Sequence, residues 1–72
     1  FNVPRPSEVK LHIFNLNGQL VRTLVSDDLP QGVHQRRWNG RNNAGYPIAS
    51  GVYLYRLQVG EKVYNGRVQM IK

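Results

Sequence analysis

Glycine and proline punctuation constrains this chain more than any other feature. Seven Gly and four Pro cut 72 residues into short runs. No run shows apolar residues at helical i, i+3, i+4, i+7 spacing with capping residues. Strand periodicity dominates instead.

Residues 1–6 read as an extended edge segment, because Pro4 and Pro6 lack ladder donors. Residues 8–16 alternate, with Val9, Leu11 and Ile13 on one face and Lys10, His12 and Phe14 on the other. Asn17-Gly18 predicts a two-residue type I′ turn. Residues 19–25 return as the partner strand, and the uneven order Leu20, Val21, Leu24, Val25 predicts a bulge there. Residues 26–32 read as a polar loop and 33–38 as the next strand, with His34, Arg36 and Trp38 sharing one face. The Asn- and Gly-rich segment 39–50 is the longest connection. Residues 51–59 form the strongest strand, with Tyr53, Tyr55, Leu57 and Val59 together on one face. Gly60-Glu61 predicts a type II′ turn, and residues 62–72 close the chain with an interruption at Asn65-Gly66. Strands at this spacing imply a sandwich or barrel of six or seven antiparallel strands in one domain, residues 1–72.

A chain this short has a thin core, and domains of this size commonly lean on disulfides, metals or partners. Cysteine is absent, which excludes disulfide staples, thiolate zinc sites and thiol catalysis. The two histidines stand 22 positions apart, so a four-ligand zinc site is not expected. No apolar run reaches the ~18 residues of a membrane span.

Catalytic chemistry has little to work with. Three Ser, one Thr and two His occur without a nucleophile-elbow motif. Asp27 and Asp28 are adjacent and splay apart in a loop, unlike a carboxylate pair facing a substrate. Residues 39–45 offer spaced oxygens but no carboxylate, which suits a turn better than a calcium site. No catalytic residue, cofactor or metal is therefore expected.

Ten basic residues against four acidic ones give a net charge of +6. Such charge favours anionic partners in general. Lys10, Arg22, Arg37, Arg56 and Arg67 are candidates for an outward stripe. Arg36-Arg37 is the one basic dipeptide, and in a strand its side chains diverge, so it makes no phosphate clamp. Tyr53 and Tyr55 share their face with Leu57 and Val59, which favours a core role over base stacking, so nucleic acid is disfavoured. Trp38 reads as a core anchor, His34 as its half-buried neighbour and His12 as a surface residue. Arg36 falls on the face of Trp38, where an unpaired guanidinium is costly. It therefore lies at an edge, reaches past the rim, or pairs with Asp27, Asp28 or Glu61.

Four segments carry a family resemblance. Residues 9–24, VKLHIFNLNGQLVRTL, resemble a V-x-L-x-I-Y-D-x-x-G-x-x-V-R-T-L opening. Residues 32–45, GVHQRRWNGRNNAG, resemble G-x-H-x-x-x-W-D-G-R-D-x-x-G. Residues 47–57, PIASGVYLYRL, resemble P-V-A-S-G-V-Y-x-Y-R-L, and the tail 67–72, RVQMIK, resembles K-M-x-x-x-K. In order and spacing the chain resembles the immunoglobulin-like domain named after the flagellar hook-capping protein. It is similar also to the C-terminal sorting domains of type IX secretion.

The resemblance implies a small immunoglobulin-like β-sandwich forming the C-terminal module of a larger exported protein. The implied location is extracellular or cell-surface, after passage through the periplasm. The implied role is non-catalytic sorting or attachment, or service as a structural part of an extracellular or flagellar assembly. The implied partners are a neighbouring domain of the same protein, secretion machinery or like subunits, with an anionic polysaccharide as a further candidate. Gly18, Trp38, Gly40, Gly45, Pro47, Gly51, Tyr53 and Tyr55 are the structural motif. Asn stands at 39 and 42 where the family keeps acids, and Arg36 stands where it commonly has an apolar residue. The candidate partner surface is accordingly Arg36, Arg37, Asn39, Arg41, Asn42, Arg67 and Lys72. The family usually carries a strand before the Phe1–Pro4 position; its loss would leave an open sheet edge that recruits other strands.

Overall fold

Two hairpins sharing a central strand pair organise the molecule. The computed structural model describes residues 1–71. Six strands run in chain order: β1 (Asn2–Val3), β2 (Ser7–Phe14), β3 (Leu20–Leu29), β4 (Gly32–Val33), β5 (Gly51–Val59) and β6 (Lys62–Met70). β3, β2, β5 and β6 form one antiparallel sheet in that spatial order, and β1 and β4 form a two-stranded ladder. The all-β class, the count of six strands and the antiparallel pairing agree with expectation. The second layer is much thinner than a full sheet.

The alternation in β2 sets the core. Val9 and Ile13 are buried on one face, and Val25, Leu29, Tyr53 and Val59 join them from neighbouring strands. Val3 descends from β1 onto Val9, Val25, Leu29 and Val59 and is fully buried. Burying such a valine contributes about 1.5 kcal/mol or more. This face of the sheet, the core face, is covered by β1, β4 and segment 34–50. The opposite face carries Lys10, His12, Phe14, Leu54, Arg56 and Arg67, by the register of the three strands.

Local chemistry explains where the strands depart from expectation. The first turn is not type I′, because no non-glycine residue among those described has positive φ. Within this turn only Gly18 has it, at 82°. Its N–H donates to the Asn15 carbonyl at 3.0 Å, and the Asn15 N–H donates to the Gln19 carbonyl at 3.0 Å. That is a three-residue loop, a type I turn followed by a left-handed glycine. Asn15 Oδ1 holds it by accepting from the backbone N–H of Asn17 and Gln19.

The expected bulge in β3 occurs twice, at the register shifts between Leu11 and His12 and between Ile13 and Phe14 of β2. The expected polar loop at 26–32 is mostly strand. Ser26, Asp27, Asp28 and Leu29 pair with Lys10, Val9, Glu8 and Ser7. The expected strand at 33–38 survives only as β4. Beyond it, His34 and Phe1 exchange two backbone hydrogen bonds of 2.8 Å through the N-terminal amine and the His34 N–H. Among the described residues no ladder partner continues past them.

β5 has the expected bounds, and Gly60-Glu61 makes the expected two-residue turn with Val59 opposite Lys62. The expected interruption at Asn65-Gly66 is absent, since β6 pairs with β5 without a shift from Lys62 to Met70. Gly66 lies opposite Tyr55, whose ring covers it so closely that a Cβ there would sit 2.4 Å from a ring carbon. The tyrosine supplies the packing that the glycine lacks.

Candidate interaction surface and the motif corner

Six of the eight motif residues converge on one corner. Trp38 meets Tyr53 edge to face, with ring centroids 5.3 Å apart. The Trp38 indole N–H donates to the Arg41 carbonyl at 3.0 Å, and the Tyr53 hydroxyl donates to the Ala49 carbonyl at 2.7 Å. Each ring therefore clamps one limb of the 39–50 connection. Arg41 and Pro47 form an isolated antiparallel bridge that closes it. Gly40 and Gly45 turn the backbone with φ of 73° and 87°, and Gly51 starts β5. Gly18 stands apart in the first hairpin, and Tyr55 lies over Gly66.

Asn39 and Asn42 are used inside this loop. Asn39 Oδ1 accepts from the Arg41 N–H at 3.1 Å. Asn42 Oδ1 accepts from the N–H groups of both Ala44 and Tyr46 at 3.0 Å. These are turn-stabilising contacts that an aspartate would also make. The loop is then fastened to β3. Asn43 Oδ1 accepts from the Thr23 N–H, the Asn43 N–H donates to the Val21 carbonyl, and Arg22 donates to the Asn42 carbonyl.

The candidate partner surface divides. Arg36, Arg37, Asn39, Arg41 and Asn42 all belong to the covering segment 34–50. Arg67 sits in β6 opposite Leu54, on the other face of the sheet. Lys72 lies outside the described residues. The expected basic stripe divides too: Lys10, Arg56 and Arg67 share the outer face, while Arg22 turns to the loop and Arg37 lies in the covering segment.

Arg36 is exposed and lines the mouth of an apolar groove, and its guanidinium donates to the Gln35 carbonyl at 2.9 Å. No acid pairs with it; the one ion pair among the described residues is Lys10 with Glu8 at 3.3 Å. His34 does not neighbour Trp38 through a ring contact. Its imidazole stacks on Phe1, with centroids 5.7 Å apart, and donates from Nε2 to the Pro30 carbonyl. His12 is half-buried rather than on the surface, edge-on to Phe14.

The thin second layer leaves part of the core face open. One groove of about 440 Å³ has Leu11, Ile13 and Leu24 on its floor and Phe1, Trp38, Val68 and Met70 among its walls. A second, of about 790 Å³, runs from Phe1 and Asn2 to Tyr64 and Lys62. Phe1, Tyr55 and Leu57 line both. Among the described residues no cluster of three or more His, Asp or Glu could hold a metal. What this region presents is apolar surface, cations and an unpaired strand edge. The edge residues Val63, Asn65 and Gln69 were not among the sequence candidates, although counting register from the Gly60-Glu61 turn would have placed them.

The family model of the FlgD Ig-like domain matches residues 1–62, which takes in β1 to β5 and the first residue of β6. No curated protein and no solved structure matches the chain significantly.

Proposed function

The chain belongs to the FlgD Ig-like domain family, and on that premise we propose that it is a non-catalytic module that sorts an exported bacterial protein to the cell exterior or attaches it there. Domains of this family occur in flagellar hook-cap proteins and in C-terminal sorting domains of secreted proteins, and are typically non-catalytic. The observation that carries the reading is the motif corner. Trp38, Gly40, Gly45, Pro47, Gly51 and Tyr53 are spent on building and closing one connection. A pattern whose residues serve the fold specifies a shape to be recognised, not a reaction. Partners in this reading are the export machinery and the neighbouring domain of the same protein.

The test is a periplasmic reporter carrying residues 1–72 at its C-terminal end, expressed in a type IX-competent host. Surface display of the reporter supports the reading, and retention in the periplasm contradicts it. A second reading, a structural part of an extracellular or flagellar assembly, is favoured by the unpaired edge of β6. It predicts that β6 becomes protected from hydrogen exchange in the native particle while the reporter stays periplasmic.

A further inference from the structure

The two edges of the main sheet are treated differently. The outer edge of β3 carries two bulges, and the 41–47 loop is tied to it through Asn43. Bulges and covering loops are the usual means of blocking unwanted strand addition. β6 has neither. It is nine residues long, contains no proline, pairs with β5 without a shift, and has no strand beyond it among the described residues. It also lies almost wholly beyond the residues that the family model matches.

The register states what this edge presents. A two-residue turn makes Val59 and Lys62 a hydrogen-bonded pair. Every second residue after Lys62 then turns its backbone groups to β5. Val63, Asn65, Arg67 and Gln69 turn theirs outward. The side chains alternate likewise. Tyr64, Val68 and Met70 look onto the grooved core face, and Arg67 looks onto the outer face.

Charge selects the occupant. β6 contributes Lys62 and Arg67 and no acid. Neither has an acidic partner among the described residues. A second copy brings the same two cations and a net charge of +6, so self-pairing brings together two like-charged surfaces. We propose that β6 is a docking edge for an extended acidic segment of another protein, added as a fifth antiparallel strand. Apolar side chains of that segment enter the groove beside Tyr64 and Val68, and its carboxylates face Arg67. Ladder hydrogen bonds supply affinity, and the alternate side chains supply selectivity. The inference stands on the sheet edge and holds for either reading of the module's role.

The test uses the whole chain and a nine-residue capped peptide alternating valine and glutamate. The expected result is saturable binding with new hydrogen-exchange protection at Val63, Asn65, Arg67 and Gln69. Asn65→Pro removes one outward donor and leaves the β5 ladder intact, so the thermal midpoint stays near that of the parent chain. It is expected to weaken the peptide by about tenfold or more. Arg67→Glu is expected to transfer preference to a valine–lysine peptide. Failure of the valine–glutamate peptide to bind overturns the proposal. So does equal binding of a peptide with its valines and glutamates in separate blocks, which marks a charge-only surface. Self-association through β6 in place of peptide binding also overturns it.

Discussion

Gly66 and Tyr55 offer a test in which one substitution should change sign with its background. Gly66 does not have positive φ, so alanine fits its backbone. In a strand, Gly→Ala ordinarily stabilises by roughly 0.5–1 kcal/mol through the unfolded chain. Here the new Cβ would lie within 2.4–2.6 Å of two ring carbons and the hydroxyl oxygen of Tyr55, so the side chain must leave. A tyrosine buries about 150–250 Å² in all, and one ring face is about a third of that. At ~25 cal/mol per Å², lifting the ring costs about 1.3–2 kcal/mol. Gly66→Ala should therefore destabilise the parent chain by about 0.5–1 kcal/mol, a midpoint shift of roughly 4 °C. In a Tyr55→Ala background the clash is gone, and the same change should stabilise by roughly 0.5–1 kcal/mol. The coupling is then about 1.5 kcal/mol, well above the additive range of independent sites. Urea unfolding followed by Trp38 fluorescence and far-ultraviolet circular dichroism measures all four chains. Equal stabilisation by Gly66→Ala in both backgrounds would refute the ring-over-glycine argument.

Further outcomes follow from single contacts. Tyr53→Phe removes the 2.7 Å bond to the Ala49 carbonyl and should cost about 1 kcal/mol in chemical denaturation, with the Trp38 contact retained. Asn42→Ala removes the acceptor for two loop N–H groups and should cost ~1–2 kcal/mol, whereas Asn42→Asp should stay within about 0.5 kcal/mol of the parent. Arg36→Leu should leave the melting temperature unchanged or higher, because no acid pairs with the guanidinium; a clear fall would reveal an ionic role. Val9→Ala, at the fully buried centre of the core, should cost about 2 kcal/mol from lost methyl burial and the cavity left behind.

Local signals were legible in the sequence, and non-local ones were not. β5 could be bounded at Gly51 and Val59 because its alternation is unbroken and glycines flank it. The bulges in β3 showed as two apolar pairs that no single alternation can face inward. By contrast, Ser26-Asp27-Asp28 has loop composition, and it is held in β3 by pairing with Lys10, Val9 and Glu8. That partner lies 16 to 20 residues away, and all three polar side chains stay exposed at the sheet edge, where they cost little. Segment 34–38 shows the reverse. Its alternation looks like a strand, but among the described residues no strand pairs with it beyond the His34–Phe1 exchange. Gly66 read as a break because its compensation comes from Tyr55 on the neighbouring strand. The motif corner was visible as residue types without its geometry. Trp38 and Tyr53 both have the character of core residues, and their clamping of the 39–50 connection depends on a fold that brings positions 38 and 53 together.

Residue-resolved amide hydrogen exchange on the isolated chain tests the closed edge and the open edge together. Tyr64, Gly66, Val68 and Met70 should be protected, with Val63, Asn65, Arg67 and Gln69 exchanging fast between them. Thr23 and Asn43 should be slow where the loop seals β3. Adding the valine–glutamate peptide should bring the four fast amides of β6 to the level of their neighbours. Uniform protection along β6 before any peptide is added, or rapid exchange at Thr23 and Asn43, would contradict a module whose β3 edge is blocked at residues 21–24 and whose β6 edge is receptive.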